Sequence, residues 1–298
     1  MAHLNLRRPE NTEGDFYVDT TCIDCDTCRW MTPQVFHRVD EMSAVYHQPA
    51  NETERLAALQ ALLSCPTSSI GTVEKPKDIK LGQESFPILV TENIYHCGYH
   101  SEKSYGAASY LIQQPEGNIL VDSPRFTPPL VKRLEEMGGI KYMYLTHRDD
   151  VADHQKFAEH FHCQRILHVD EISAGTRNVE IQLTGAEPFT FQPDVLIIPV
   201  PGHTKGHTVL LYKNKFLFTG DHLAWSETQQ QLIAFHDVCW YSWTEQIKSM
   251  RRLAEYSFEW VLPGHGRRFH ADVDTMRQQM YKCIELMVDE RASIVNSQ

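Results

Sequence analysis

Short β-rich runs, several ending in a histidine or an aspartate, are the feature of this chain that most restricts its fold. From position 86 onward the runs ILV, ASYLI, NILVD, YMYLTH, RILHVD, VLIIPV, TVLLY and FLFTGD alternate with polar turns. Helix-like stretches lie at 128–137, 153–161, 243–255 and 271–296, and Ser242 with Glu245 forms a capping box before the third. Strands that alternate with helices predict an α/β domain rather than an all-β one.

A weakly patterned stretch separates this region from the N-terminal part. Residues 67–86, TSSIGTVEKPKDIKLGQESF, contain two glycines and a proline and show no sustained periodicity. Such a composition is typical of a linker. We therefore predict a small N-terminal domain at 1–70, a linker at 71–85 and the α/β domain at 86–298.

The composition excludes several classes of protein. The 298 residues include 28 basic and 39 acidic ones, a net charge of −11, so a basic face for nucleic acid is not expected. The apolar runs are far shorter than the roughly 20 residues that span a bilayer, and no apolar signal core follows Arg7 and Arg8. We expect no nucleic-acid partner, no membrane and a cytoplasmic location, where eight cysteines favour metal binding over disulfides.

Four cysteines are spaced as ligands of one iron–sulfur cluster. Three have C-x2-C-x2-C spacing and the fourth precedes a proline; they are Cys22, Cys25, Cys28 and Cys65. A turn-rich loop with this spacing can direct three thiolates at three irons of one cube, and the fourth iron needs a distant ligand. The segment resembles the [4Fe-4S] ferredoxins, but Thr32 and Pro33 stand where two-cluster ferredoxins have another Cys-Pro. One cluster is therefore expected, with a four-cysteine zinc site and incidental thiols as alternatives.

Four segments of the second part place histidine or aspartate directly after a strand-like run: LTHRDDVADH, PGHTKGH, FTGD and LPGHG. Imidazoles and carboxylates at neighbouring strand ends converge on one sheet edge, where they can bind metal ions. In this order the segments resemble the metallo-β-lactamase superfamily, especially its glyoxalase II-like hydrolases, over residues 86–270. The resemblance implies an α/β fold: an αββα metallo-β-lactamase sandwich with a dinuclear metal site, here preceded by a small ferredoxin-like α+β domain.

The resemblance also implies the ligands of two divalent cations, either zinc or iron, with manganese as a third option. The seven expected ligands are His147, Asp149, Asp153, His154, His203, Asp221 and His265. Asp221 is expected to bridge the cations, and His207 to brace its loop. The family motif H-x-H-x-D-H has a histidine where this chain has Asp149, and two additional residues precede Asp153. Three alternatives stay open: Asp149 is a ligand, Asp150 takes its place, or neither binds.

The expected chemistry is hydrolysis by a metal-bound hydroxide, because two cations that share a water lower its pKa. Asp153, or Asp149 if it is not a ligand, is expected to orient the hydroxide and return the proton to the leaving group. This predicts an ester or thioester hydrolase with a small-molecule substrate, fused to an electron-transfer [4Fe-4S] domain that a redox partner protein would serve. The alternatives are a diiron oxidoreductase that reduces a small molecule with electrons from the cluster, and a non-catalytic regulatory module.

The segment 225–243 is the expected source of a substrate pocket. It is rich in aromatic side chains, and an apolar acyl group is the ligand that such a wall would accept. The candidates for the wall are Trp225, Phe235, Trp240 and Tyr241.

Overall fold

A computed structural model describes residues 2–296, which fold as two compact units. The first unit comprises the described residues up to 143 together with 152–163, and the second comprises 144–151 and the described residues from 164 onward. The helices are α1 (Thr27–Met31), α2 (Glu52–Ser64), α3 (Ile79–Glu84), α4 (Pro128–Glu136), α5 (His154–Phe161), α6 (Trp243–Leu253) and α7 (Val273–Asn296). No described helix combines the length and apolarity needed to cross a membrane.

The N-terminal part of the first unit is built from four short strands and two helices. The strands are β1 (Phe16–Val18), β2 (Phe36–Val39), β3 (Met42–Val45) and β4 (Ile70–Thr72). β1 pairs with β4, and β2 with β3, in both cases antiparallel. Phe16, Phe36 and Leu59 of α2 share one buried core with the thiols of Cys28 and Cys65. Burial of these aromatic and aliphatic side chains therefore holds the two cysteine-bearing segments together.

The stretch predicted as a linker contains ordered structure. It includes the end of β4 and the whole of α3, and Arg55 of α2 donates hydrogen bonds to the Asp78 carboxylate that precedes α3. The ion pair and the contact between the helices fix this stretch on α2, although its composition is that of a linker. The predicted boundaries at 1–70, 71–85 and 86–298 stay a prediction.

The remainder of the first unit contains an antiparallel meander. Its strands are β5 (Ile88–Thr91), β6 (Ile94–His96), β7 (Tyr110–Ile112) and β8 (Ile119–Val121). Each strand pairs with the next one in sequence. All residues of β7 and β8 are buried, which explains why these strands appear in the sequence as continuous apolar runs. Strand β9 (Tyr142–Tyr144) follows at the point where the chain passes between the units.

The second unit contains a six-stranded sheet covered by two helices. The strands of the second unit, six of which form this sheet, are β10 (Gln164–His168), β11 (Ile181–Leu183), β12 (Phe189–Gln192), β13 (Val195–Pro199), β14 (Thr208–Tyr212), β15 (Phe216–Gly220), β16 (Ala224–Ser226), β17 (Gln231–Ile233), β18 (Trp260–Pro263) and β19 (Phe269–His270). The sheet order is β12-β13-β14-β15-β18-β19, antiparallel except for the parallel pair β15–β18. Val209, Leu211, Met250 and Met280 belong to the core formed by the sheet, α6 and α7.

The predicted helices and strands agree closely with the observed ones. The four helical stretches correspond to α4, α5, α6 and α7, with ends that differ by at most two residues. Ser242 caps α6 by accepting a hydrogen bond from the Glu245 amide at 3.2 Å, as the capping motif predicts. The α/β class expected from the sequence is confirmed.

Candidate functional site

Loops that follow strands deliver the polar residues of the second unit. His147 and Asp149 follow β9, and His203 lies in the loop that joins β13 to β14. Asp221 comes directly after β15, and His265 follows β18. The parallel pairing of β15 with β18 places the carboxyl ends of both strands at one edge, so the last two side chains meet there.

Two imidazoles and two carboxylates surround one point. His147 Nε2 lies 3.8 Å from Asp149 Oδ2 and 3.7 Å from Asp221 Oδ2. His203 Nε2 lies 3.5 Å from Asp149 Oδ2 and 3.7 Å from Asp221 Oδ2. These separations exceed those of good hydrogen bonds, but ligands bound about 2.1 Å from one tetrahedral cation stand about 3.4 Å apart. The four atoms are therefore spaced as the ligands of a shared cation.

Asp221 also belongs to a second set of candidate ligands. Its Oδ1 oxygen is hydrogen-bonded to His265 Nδ1 at 2.7 Å, while its Oδ2 oxygen faces the other two histidines. Ligand atoms of His147, Asp150 and Asp221 also lie within 4.8 Å of one another. Gly264 makes room for this group, because a Cβ there would stand 2.7 Å from Asp150 Oδ2 and 3.1 Å from Asp221 Oδ1. Asp221 thus directs one oxygen to each group, as a bridging carboxylate does.

The ring nitrogens of the histidines are available as ligands. His147 Nδ1 is hydrogen-bonded to Thr146 Oγ1 at 2.9 Å, which leaves Nε2 to face the carboxylates. Within residues 2–296, His147 Nε2 and both ring nitrogens of His203 are buried without a hydrogen-bond partner. Because buried polar atoms normally have partners, such nitrogens indicate that a cation belongs between them. The donor set therefore fits divalent metal ions.

Burial and neighbouring charges set the protonation states of these groups. Burial lowers the pKa of His147 to about 4, although Asp221 opposes the shift. The contact with His203 lowers the pKa of Asp149 despite its partial burial. Burial raises the pKa of Asp221, but His265 and His147 lower it more, and the net shift is downward. At neutral pH His147 is therefore neutral and both carboxyl groups are ionised, which are the forms that bind metal.

His207 contacts two of the predicted ligands. Its Nε2 accepts a hydrogen bond from the Asp221 backbone amide at 3.3 Å, and its ring stacks on His147 with centroids 4.7 Å apart. One ring nitrogen of His207 is thus engaged by the backbone that carries Asp221. The bracing role expected for His207 from the sequence stays a prediction.

Glu171 joins two of the ligand-bearing loops. Its fully buried carboxylate accepts hydrogen bonds from the Gly206 amide at 2.6 Å and from the Arg148 amide at 2.9 Å. Arg148 Nε donates a further bond at 3.0 Å. Arg148 stands between His147 and Asp149, and Gly206 stands three residues after His203. One carboxylate therefore fixes the loop of the first histidine against the loop of the second.

Asp153 and His154 belong to the first unit, whereas the other predicted ligands of the divalent cations belong to the second. Asp153 accepts a hydrogen bond from the Phe126 amide at 3.0 Å, and its Oδ1 lies 3.2 Å from Lys103 Nζ and 3.1 Å from Lys156 Nζ. These three contacts satisfy its carboxylate locally. His154 is buried at the first position of α5. The ligand and catalytic roles expected for Asp153, and the ligand role expected for His154, stay predictions.

The cysteine loop of the first unit is shaped by two aspartates with left-handed backbone. Asp24 and Asp26 have φ angles of 59° and 64°, and both carboxylates bind Arg29 at 2.6 Å. Asp24 stands between Cys22 and Cys25, and Asp26 stands between Cys25 and Cys28. Cys22, Cys25 and Cys65 all contribute to raising the pKa of Cys28, which burial raises first and most. The four thiols are thus close enough to interact electrostatically.

Backbone amides already point at two of the sulfur atoms. The Ser43 amide donates to Cys22 Sγ at 3.4 Å, and the Ser69 amide donates to Cys65 Sγ at 3.2 Å. Amide hydrogen bonds of this kind stabilise cluster-bound thiolates and tune the potential of the cluster. Burial raises the pKa of Cys25 to about 11, so cluster assembly must displace protons from the thiols. The set fits a [4Fe-4S] cluster.

Thr32, which stands where a second cluster would need a ligand, has a structural contact instead. Its hydroxyl donates a hydrogen bond to the Ala57 carbonyl of α2 at 2.9 Å, and the residue is fully buried. It therefore joins the end of α1 to α2.

Three residues contribute to these sites in ways that the sequence did not predict. Asp150 was considered only as a substitute for Asp149, whereas the structure places both carboxylates close to His147. Glu171 was not singled out, although it follows the strand-like run RILHVD and the strand-end rule would have included it. Gly106 adjoins the cysteine loop, because a Cβ there would lie 2.9 Å from Cys25 Cβ. No sequence signal connects positions so far apart.

Comparison with known proteins identifies the N-terminal segment. Residues 18–72 match the family model described as the 4Fe-4S single cluster domain of Ferredoxin I. This range contains the four predicted cluster ligands and ends two residues beyond the predicted domain. A relative in Bacillus subtilis (strain 168), the uncharacterized protein YmaE, is 26% identical over 121 residues, which are 40% of this chain and 44% of YmaE. The match thus spans less than half of that relative.

Solved structures identify the fold of the larger part. VMB-1 superposes with a TM-score of 0.54 at 17% identity, covering 68% of this chain and 96% of its own. DIM-1 metallo-β-lactamase superposes with a TM-score of 0.52 at 19% identity, covering 66% of this chain and 95% of its own. Identities this low establish the fold alone. Residues 18–72 therefore resemble a single-cluster [4Fe-4S] ferredoxin domain, and the larger part of the chain has the metallo-β-lactamase fold, both as predicted from the sequence.

Proposed function

We propose that this chain is a metal-dependent hydrolase that cleaves an ester or thioester of a small molecule. One observation carries the proposal: each of two imidazole nitrogens stands 3.5–3.8 Å from each of two carboxylate oxygens, as ligands of one cation do. The carboxylate of Asp221 also extends to a second group with Asp150 and His265. Two divalent cations fit this arrangement. When bound, such a pair polarises a carbonyl and makes water a stronger acid.

Residues of the chain then position the reactants and move the proton. Asp149 is the most exposed carboxylate of the site, with 44% of its side chain accessible, and is ionised at neutral pH. Only its Oδ2 oxygen lies in the group of ligand atoms, so Oδ1 can accept a proton from the attacking water and pass it to the leaving group. We assign this role to Asp149 rather than Asp153, because Lys103, Lys156 and the Phe126 amide already engage Asp153.

The ferredoxin segment supplies a separate function in this proposal. One [4Fe-4S] cluster held by its four cysteines would exchange single electrons with a redox partner protein. All eight cysteines are free thiols in the structure. Thiols in this state suit a reducing compartment such as the cytoplasm.

A diiron oxidoreductase is the second candidate, and the acidic character of the site is the observation behind it. Asp149, Asp150 and Asp221 bring three carboxylates to the two groups. Oxygen-rich sites bind iron and manganese well, and a fused cluster could deliver electrons to such a centre. Metal content separates the two candidates.

The test begins with anaerobic purification and elemental analysis. About four irons and two zinc ions per chain support the hydrolase, whereas about six irons support the oxidoreductase. The metal-loaded protein is then assayed with a panel of esters and thioesters. His203→Ala should abolish turnover and lose metal, while His160→Ala, a change at a partly exposed histidine of α5, should leave both unchanged. Absence of turnover in the metal-loaded wild type would refute the hydrolase.

A further inference from the structure

Two aromatic side chains beside the candidate metal site remain exposed to solvent. Trp240 is 65% exposed and Tyr241 is 48% exposed, although they are among the largest apolar side chains of the protein. The other predicted wall tryptophan differs, because Trp225 stacks on Phe269 with centroids 4.0 Å apart and an interplanar angle of 3°. Of the predicted pocket wall, Trp225 packs against another side chain, whereas Trp240 and Tyr241 do not lie in the core. The exposed pair needs another explanation.

The backbone holds the exposed pair rigidly against a predicted metal ligand. The amides of Trp240 and Tyr241 both donate to the His203 carbonyl, at 2.9 and 3.1 Å. On either side, Cys239 Sγ and the Ser242 amide donate to the Gly202 carbonyl, at 3.1 and 3.0 Å. Residues 239–242 are therefore locked onto residues 202–203 by four hydrogen bonds. The Trp240 ring lies 6.4 Å from the His203 ring.

Helix α6 anchors this arrangement from the other side. Gly202 packs directly against the helix, since a Cβ on it would stand 2.4 Å from Gln246 Cβ. Ser249 Oγ donates to the Pro201 carbonyl at 2.7 Å, and Ser242 caps the helix. The exposed rings are consequently presented on a fixed backbone. Preorganised aromatic surfaces bind ligands with little loss of conformational entropy.

We propose that Trp240, with Tyr241 beside it, forms a subsite that binds an aromatic ring of the substrate, so that the substrate is an aryl ester or aryl thioester. This inference rests on the proposed function and specifies its substrate class. The faces of tryptophan and tyrosine stack on other aromatic rings, and such a contact exceeds plain apolar burial. A substrate ring stacked on Trp240 would stand beside His203, whose own ring lies 6.4 Å from that of Trp240. The subsite would select between acyl groups without touching the cations.

The experiment measures binding and turnover separately. Benzoate, cyclohexanecarboxylate and acetate share a carboxylate and differ in the attached group. Calorimetric titration of the metal-loaded protein should show benzoate binding most tightly. Trp240→Ala should weaken benzoate binding about 3- to 10-fold and leave acetate binding unchanged. Trp240→Phe should restore most of the loss, and Tyr281→Ala, which removes an exposed aromatic of α7, should have no effect.

Several results would overturn the subsite. The first is that Trp240→Ala and the wild type bind benzoate with equal affinity. The second is that Trp240→Ala loses as much affinity for acetate as for benzoate. The third is that the wild type binds benzoate no more tightly than cyclohexanecarboxylate. A change in the sedimentation mass of Trp240→Ala would identify the ring as a contact with a second copy, which also overturns it. If aryl thioesters are not hydrolysed but benzoate binding still depends on Trp240, the hydrolase fails and the subsite stands.

Discussion

Removal of the Glu171 carboxylate is expected to loosen the metal site without touching a ligand. Glu171→Ala deletes an acceptor of four N–H bonds, at 2.6, 2.9, 3.0 and 3.3 Å, that join the loops of His147 and His203. Each hydrogen bond to a charged group contributes roughly 1.5–3 kcal/mol, offset by the cost of burying the carboxylate. Arg148 is 43% exposed and can be solvated by water, so the main cost comes from backbone amides left without an acceptor, about 1–3 kcal/mol for the buried Gly206 amide.

Two measurements report this loss. The free energy of unfolding, from urea titration of the metal-free protein, should fall by about 3 kcal/mol because the Gly206 and Arg148 amides lose their acceptor. Zinc affinity, from competition with a chelator, should fall about 10- to 100-fold, the usual effect of removing a group that orients a ligand. Glu171→Gln keeps one acceptor oxygen and should lose less of each.

The matched control is Glu187→Ala. Glu187 also binds an arginine, Arg252, at 2.9 Å, but 87% of its side chain is exposed. An exposed pair contributes only about 0–1 kcal/mol, so this variant should retain both stability and zinc affinity. If Glu171→Ala matched this control in zinc affinity, the two loops would not depend on their shared carboxylate, and the reasoning would be refuted.

Three further predictions concern individual positions. Asp149→Ala should lower the affinity for the cation next to His147 about tenfold in a chelator competition, and unchanged affinity would show that Asp149 is not a ligand. Gly264→Ala would place a Cβ 2.7 Å from Asp150 Oδ2, so elemental analysis should show loss of the second metal ion; two retained ions would contradict the grouping of these carboxylates. Gly106→Ala, at a φ of +90° and against Cys25, should prevent cluster assembly; a brown protein that dithionite bleaches would contradict this.

Local patterning was sufficient to predict most of the secondary structure. β14 and β15 are buried throughout, so their apolar runs were unambiguous, and the cap at Ser242 placed the start of α6. The region around α3 was predicted as a linker because its composition is polar, and its contact with α2 through the ion pair between Arg55 and Asp78 leaves no periodic signal in the sequence. Composition alone therefore described it as a linker.

The candidate site was predictable where ligands follow strands and less so elsewhere. His203, Asp221 and His265 follow strands of one sheet, so their convergence could be inferred from topology. The loop after His147 gave no such guide, because the backbone path of a lengthened loop decides which aspartate faces the histidines. Contacts made through the backbone, such as the Gly206 amide with Glu171, are invisible in a sequence.

The reactivity of the Cys239 thiol reports on the opening of residues 239–242. Its sulfur donates to the Gly202 carbonyl, the residue is half-buried, and burial raises its pKa, so little reactive thiolate is present at neutral pH. Alkylation must therefore wait for the segment to detach from residues 202–203. The labelling rate of this cysteine, read from its peptide by mass spectrometry, would report how often the segment that carries Trp240 and Tyr241 opens. It would also show whether a bound carboxylate slows the opening.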